Sequence, residues 1–236
     1  MVVDKARNAA KVEELNALYR AASPQTVLRA ALEAFPGKIA LVSSFGAESA
    51  VLLHMAAQID KTVPVLFIET GMLFGQTLDY RKSLTQALGL TDVRDIRPDP
   101  AELAANDPKN DLYKTSTDAC CDLRKVRPLD AVTAGLDAWV TGRKRFQAAT
   151  RANLAVFELT DEGQVKVNPL ANWGKAELDA YTAEHQLPAH PLVAFGYPSI
   201  GCWPCTQPVE EGQDARAGRW AGSEKTECGI HVSRAS

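Results

Sequence analysis

Five cysteines, in two close pairs and one isolated position, are the residues of this 236-residue chain best suited to chemistry. They are the adjacent Cys120 and Cys121, the C-x-x-C of Cys202 and Cys205, and the isolated Cys228. Four paired thiolates are the ligand count of either a tetrahedral zinc ion or an iron–sulfur cluster. Adjacent side chains do not easily reach one tetrahedral ion, so iron–sulfur is favoured, although the spacing leaves both metals open. A redox dithiol is the alternative for the C-x-x-C alone.

The isolated cysteine is a candidate nucleophile. Cys228 lies in a polar tail, so we expect it to be exposed. Arg216 and Arg219 precede it, and guanidinium groups bind sulfate and phosphate oxygens through paired hydrogen bonds. Together with His231, these cations could lower the pKa of the thiol and make it reactive. An incidental surface cysteine is the alternative.

Other basic residues occur where an anion could bind. Lys125, four residues after Cys121, would lie one helical turn along and could offset the negative charge of a thiolate-ligated cluster. A further basic group follows a predicted strand and consists of Arg143, Lys144, Arg145 and Arg151. A solvated charged face is the usual interpretation of such a group, but its place at the carboxyl end of a strand favours anion binding.

Loops with small residues follow three predicted strands. The stretch 43–49 (SSFGAES) joins a buried strand to an apolar helix, and Thr70-Gly71 and Thr141-Gly142 follow two other strands. Such loops present backbone N–H groups and a helix N-terminus to an anion. Ligands of open parallel sheets bind beyond the carboxyl ends of the strands. Three loops of this kind predict a nucleotide-binding edge, with ordinary tight turns as the alternative.

The elements that would position these residues alternate along the chain. Strands are predicted at 38–43, 63–69, 92–97 and 138–141, and helices at 24–36, 50–58, 76–88, 122–134 and 175–185. This alternation predicts an α/β fold with a parallel sheet covered on both faces. We expect an N-terminal leader at 1–22, the main domain at 23–208, and a tail at 209–236 that acts as a mobile lid.

Composition excludes several classes of protein. The net charge of −3 gives no sign of a nucleic-acid or membrane partner, and no stretch approaches the ~20 apolar residues of a membrane span. The N-terminus lacks the apolar core of a secretory signal. Together with an odd number of cysteines, these features predict a cytoplasmic protein without a disulfide framework. The oligomeric state is left open, a homo-oligomer included.

Seven short motifs together resemble those of the adenylyl-sulfate and phosphoadenylyl-sulfate reductases of sulfate assimilation. They are SSFGAES at 43–49, ETGMLF at 69–74, CCDLRK at 120–125, WVTGR at 139–143, CWPC at 202–205, RAGRW at 216–220 and ECGIH at 227–231. Each is weak singly, but the combination in this order is highly specific. The resemblance implies a single Rossmann-like domain similar to the adenine-nucleotide α-hydrolases, with a parallel sheet and a mobile C-terminal tail.

The resemblance also implies an activity in cysteine biosynthesis, the reduction of adenylyl sulfate to sulfite and AMP. The Cys228 thiolate would attack the sulfur atom, displace AMP and become an S-sulfocysteine. A thiol of thioredoxin or glutaredoxin would then release sulfite. The four paired cysteines, Cys120, Cys121, Cys202 and Cys205, would ligate a [4Fe–4S] cluster, which in the family accompanies a preference for adenylyl sulfate over its 3′-phosphorylated relative.

Substrate contacts are implied by the same resemblance. Phosphosulfate oxygens are expected to contact Lys125, Arg151, Arg216 and Arg219. Ser43 and Gly46 would line the nucleotide-binding loop, and the adenosine would lie near Leu66 and Gly142. His231 would help to bind the substrate or to activate the nucleophile.

Three alternative functions are weighed against this interpretation. A reductase of the 3′-phosphorylated nucleotide, or of both nucleotides, is the nearest. An ATP pyrophosphatase is disfavoured because its usual S-G-G-x-D-S loop has Phe45 and Glu48 here in place of a glycine and the aspartate. A zinc-stabilised nucleic-acid-binding module fits poorly with the negative net charge and with the isolated Cys228.

Overall fold

A six-stranded sheet forms the centre of the fold in the computed structural model, which describes residues 3–220, 225 and 227–231. The strands are β1 (Ile39–Ser43), β2 (Val65–Ile68), β3 (Val93–Ile96), β4 (Ala138–Val140), β5 (Phe157–Leu159) and β6 (Val165–Val167). Their order is β3-β2-β1-β4-β6-β5, and among them only the β5–β6 pair is antiparallel. The predicted α/β fold with a mostly parallel sheet is confirmed, whereas the short β5–β6 hairpin was not predicted.

Helices connect the strands and pack on the sheet. They are α1 (Lys5–Tyr19), α2 (Pro24–Ala34), α3 (Ser49–Ile59), α4 (Gly75–Leu88), α5 (Pro100–Asn106), α6 (Thr117–Cys121), α7 (Arg127–Thr133) and α8 (Lys175–Glu184). The start of α2 follows its sequence, because the Ser23 hydroxyl accepts the Thr26 N–H and Pro24 occupies the first turn. Among the described helices, none combines the length and the apolar character needed to cross a bilayer.

The helix predicted at 122–134 is divided into two pieces, a π-helical turn and α7, and the short α6 directly precedes them. A π-helical turn, Asp122–Val126, separates α6 from α7. Pro128 lies in the first turn of α7, where its missing N–H leaves no helical hydrogen bond unmade. Such π-turns are frequent at functional sites, and this one carries Lys125 immediately after the adjacent cysteines.

Both faces of the sheet are buried. In β1, Leu41 joins the larger apolar cluster, while Ala40 and Val42 join a smaller one that includes Leu66 and Trp139. Successive side chains of a strand point to opposite faces, so an unbroken apolar run serves both. The expected cover on both faces is therefore confirmed.

The two ends of the chain pack on this body. In the predicted leader, α1 buries Leu15, and its Asn16 side chain donates to the Phe157 carbonyl and accepts the Phe157 N–H. In the tail, Trp220 is 4% exposed and its N–H donates to the Cys205 carbonyl. The tail, although polar in sequence, therefore buries Trp220 against the main domain.

Candidate active site

A cavity of about 240 Å³ opens beyond the carboxyl ends of β1 and β4. Chain connections leave β1 in opposite directions across the sheet, which makes this edge the switch point where ligands of doubly wound sheets bind. The predicted site residues that line it are Ser43, Gly46, Lys125, Gly142, Arg151, Arg216, Arg219, Cys228 and His231. Folding thus brings motifs from the first loop, the π-turn, the β4 loop and the tail to one place.

Leu66 is the predicted site residue that does not line this cavity. It pairs with Val42 across the sheet, is 3% exposed and belongs to the smaller apolar cluster. Side chains in the middle of a strand point into the faces of a sheet, whereas this cavity contacts the strand ends. The prediction that the adenosine lies near Leu66 stays a prediction.

The loop after β1 has partners for both of its unusual residues. Phe45 adopts φ 49°, the left-handed region that bulky residues rarely occupy. Its buried ring packs edge-on against Phe67, with centroids 5.3 Å apart, and this packing holds the strained backbone. The Glu48 carboxylate accepts Lys144 Nζ at 2.7 Å and Gln147 Nε2 at 2.9 Å. Both departures from the pyrophosphatase loop are thus accommodated by this chain's own side chains.

The four paired cysteines lie in one region beside the cavity. Cys120, Cys121 and Cys202 are buried, Cys205 is partly buried, and each is a free thiol. Burial, together with the nearby charges of Cys202 and Cys205, raises the pKa of Cys120 to about 11 against the opposing charge of Arg124. Met72 packs against Cys120 and Cys202 in a small apolar cluster. The thiols therefore form a largely enclosed donor set.

Four thiols in one region supply the ligand count of an iron–sulfur cluster or of a single zinc ion. Within the described ranges, no three His, Cys, Asp or Glu side chains are arranged to hold a single metal ion. A zinc ion needs all its sulfur ligands at about 2.3 Å, whereas the thiolates of an iron–sulfur cluster bind different iron atoms and stand further apart. Lys125 and Arg219 lie near these thiols. Their positive charges would offset the negative charges of several thiolates.

Arg124 fixes the segment that carries Lys125. Its guanidinium donates to Asp107 Oδ2 at 2.7 Å and to the Thr70 carbonyl at 2.9 Å. The side chains of Arg124 and Asp107 are 3% and 1% exposed. A buried charge pair with several hydrogen bonds orients its surroundings firmly. The π-turn is thereby held against the loop that follows β2.

Cys228 is partly buried, so the prediction of an exposed thiol is wrong. The Cys121 thiol donates a hydrogen bond that lowers the pKa of Cys228 well below its ordinary value, and the charges of Lys125 and Arg219 and the Ile230 N–H act in the same direction. Burial opposes them. Contributions from the two cations persist when Cys121 is itself a thiolate. This environment favours the nucleophilic form of Cys228.

Two buried nitrogen atoms at the cavity have no hydrogen-bond partner within the described residues, Arg219 Nε and His231 Nδ1. Burial lowers the pKa of His231 well below its ordinary value, and the charges of Lys166 and Arg143 lower it further. His231 is therefore neutral at pH 7 and does not supply the positive charge expected of it beside Cys228. Buried polar atoms are normally paired, so both nitrogens indicate a polar ligand.

An ion pair joins the tail to the cavity wall. Arg151 Nε lies 2.6 Å from Glu227 Oε1, and Arg151 Nη2 lies 2.7 Å from Glu227 Oε2. Sequence reasoning missed Glu227, although it stands next to Cys228 in the ECGIH motif. It also missed Gln147, which accepts Arg151 Nη1 at 2.6 Å and for which the sequence offers no signal.

Comparisons with known proteins identify the family to which the chain is similar. The model of the phosphoadenosine phosphosulfate reductase domain family matches residues 38–208. An adenosine 5′-phosphosulfate reductase of Mesorhizobium japonicum is 54% identical over 95% of this chain and 89% of its own length. A crystal structure of phosphoadenylyl-sulfate reductase from Candida auris has a TM-score of 0.69 and 31% identity over 84% of this chain and 96% of that one.

A more distant structure shares the fold alone. Candida glabrata FMN adenylyltransferase, in complex with FMN and an ATP analogue, has a TM-score of 0.58 and 14% identity over 87% of this chain and 70% of that one. The predicted adenine-nucleotide α-hydrolase-like fold is confirmed. With a family model matched over most of its length and a close relative along almost all of it, the chain belongs to the phosphoadenosine phosphosulfate reductase family.

Proposed function

We propose that this protein reduces adenylyl sulfate to sulfite and AMP. The observation that carries the proposal is one cavity in which the Cys228 thiol meets four cations suited to a phosphosulfate group, Lys125, Arg151, Arg216 and Arg219. Two buried nitrogen atoms at the same cavity, Arg219 Nε and His231 Nδ1, have no partner among the described residues and support a polar ligand. The name of the relative at 54% identity supports adenylyl sulfate as the substrate.

The first step is nucleophilic substitution at sulfur. The Cys228 thiolate attacks the sulfur atom of adenylyl sulfate, and the bond between sulfur and the bridging oxygen breaks. AMP leaves with that electron pair on its phosphate, and the sulfonate remains on Cys228. Lys125 and Arg219 offset the charge that develops on the leaving phosphate, and neutral His231 can donate a hydrogen bond.

The second step needs a dithiol reductant, which we propose to be thioredoxin or glutaredoxin. One thiolate of the reductant attacks the Cys228 sulfur, releases sulfite and forms a mixed disulfide. The second thiol of the reductant resolves this disulfide, so Cys228 is regenerated and the dithiol supplies two electrons. The tail that encloses Cys228 must open for this step, as a lid does. A cytoplasmic location, where thiols are kept reduced, is part of the proposal.

A [4Fe–4S] cluster completes the proposed site, ligated by Cys120, Cys121, Cys202 and Cys205. Cys120 and Cys121 at the end of α6 and the two cysteines of the C-x-x-C would hold it, and its charge would add to the field around the substrate. The buried free thiols and the cations beside them support this donor set. Substituting Cys205 by serine is expected to remove the visible absorbance and the bound iron.

The test is thioredoxin-dependent sulfite release by anaerobically purified protein. We expect adenylyl sulfate to be preferred over its 3′-phosphorylated form, and Cys228→Ser to be inactive with its cluster absorbance retained. The 31% identity to a phosphoadenylyl-sulfate reductase favours the 3′-phosphorylated nucleotide as the second candidate. Equal or reversed preference would support that candidate, and the absence of sulfite from both nucleotides would contradict the reductase function.

A further inference from the structure

The ion pair between Glu227 and Arg151 is an enclosed contact between the tail and the cavity wall. Its two side chains are 11% and 9% exposed, and both carboxylate oxygens are used. Paired, charge-assisted hydrogen bonds fix orientation as well as distance. Since Glu227 directly precedes Cys228, the pair fixes the backbone next to the nucleophile.

The wall that receives Glu227 is itself braced. Arg151 Nη1 donates to Gln147 Oε1, and Gln147 Nε2 donates to Glu48 Oε2. The buried Lys144 donates to the same Glu48 oxygen at 2.7 Å. A continuous set of hydrogen bonds thus runs from the nucleotide loop to the tail. This bracing holds the Arg151 guanidinium in the orientation that receives the Glu227 carboxylate.

We propose that Glu227 is a positioning residue whose bidentate contact with Arg151 docks the tail and sets Cys228 inside the cavity. The inference rests on the proposed function for the reaction that Cys228 performs. Charge also favours this docking. Arg216 Nη2 lies 3.8 Å from Glu227 Oε2, so two cations face this one carboxylate.

Glu227→Gln tests the proposal, because glutamine keeps the size but removes the charge. We expect kcat for sulfite release to fall about 10- to 100-fold, as for a misplaced reacting group. KM should stay unchanged or decrease, because Arg151 becomes free to bind the substrate. Glu211→Gln is the matched control, since it removes the same charge from an exposed tail residue outside the cavity. It should behave as the unaltered protein.

A second measurement does not depend on sulfite release. Alkylation of Cys228 by neutral iodoacetamide is followed across pH by mass spectrometry of the tryptic peptide 226–234. The limiting rate at high pH reports access to the thiolate, and we expect Glu227→Gln to raise it several-fold over the Glu211→Gln control.

Two outcomes would overturn the inference. A lower KM with kcat unchanged or raised would make Glu227 a competitor of the substrate, and an unchanged limiting alkylation rate would mean that the tail docks without it. If neither the unaltered protein nor the two variants release sulfite but the alkylation rates differ as expected, the proposed function is wrong. The docking role of Glu227 is then still supported.

Discussion

Gly201 lies against the guanidinium of Arg219, and we expect Gly201→Ala to displace that arginine from the cavity. A Cβ at position 201 would stand 2.3 Å from Arg219 Nη2 and 2.6 Å from its Cζ. Both distances are far inside the ~3.5–4.0 Å of favourable contact. The guanidinium is the end of a flexible side chain, so it moves and the backbone stays.

The magnitude follows from what Arg219 loses. Its bonds to Ser199 Oγ and the Ile200 carbonyl are long, at 3.4 Å each, and its guanidinium carbon lies 4.5 Å from the Trp220 ring centroid. Losing these contacts should cost less than about 1 kcal/mol of unfolding free energy. A lost hydrogen bond to a charged substrate group costs about 1.5–3 kcal/mol. The expected fall in kcat/KM is therefore about 10- to 150-fold.

Steady-state kinetics with adenylyl sulfate and urea denaturation measure the two effects separately. Gly135→Ala is the control, because Gly135 is exposed and has open space around its Cα. Visible absorbance per chain must be unchanged, since Gly201 precedes Cys202. An unchanged kcat/KM would contradict the displacement of Arg219. A loss of activity accompanied by a large loss of unfolding free energy would contradict the expectation that the backbone stays in place.

Three further substitutions test the fold that carries the site, each by urea denaturation. Arg124→Ala leaves Asp107 charged and buried without its partner, so we expect a loss of about 3–5 kcal/mol, and a loss below about 1 kcal/mol would contradict this. Burial lowers the pKa of His190 to about 4 in the folded protein. As the pH falls from about 6.5 to 4, His190 therefore becomes protonated in the unfolded state but not in the folded state, and the free energy of unfolding falls by up to about 3 kcal/mol. His190→Gln should flatten this pH dependence, and an unchanged slope would argue against His190 as its source. Phe45→Gly relieves a left-handed backbone worth about 1–2 kcal/mol but loses a buried ring worth about 3–5 kcal/mol, so a net loss is expected and a stabilised variant would be inconsistent with it.

Much of the framework is readable from local sequence. Short apolar runs predict β1 and β2, and Ser23-Pro24 predicts the start of α2. Both predictions succeed because strand burial and helix capping depend on residues that are neighbours in the sequence. The types and spacing of the cysteines indicated a metal donor set and a separate thiol. The three-residue strands β5 and β6 were missed because each has a charged residue at its centre, Glu158 or Lys166, whereas the three residues of β4 are all apolar.

The contacts between the nucleophile, the cations and the tail follow from tertiary packing. Arg151 and Glu227 are 76 residues apart, and closing the tail over the switch point makes them a pair. The same closure buries Cys228 and brings it to Lys125, although a polar tail predicts exposure. The residue types alone show which side chains can bind anions or act as nucleophiles, because this capacity belongs to the side chain itself. Strand order and tail packing determined which of them share a cavity, because contacts between distant segments depend on the whole chain's packing rather than on any local pattern.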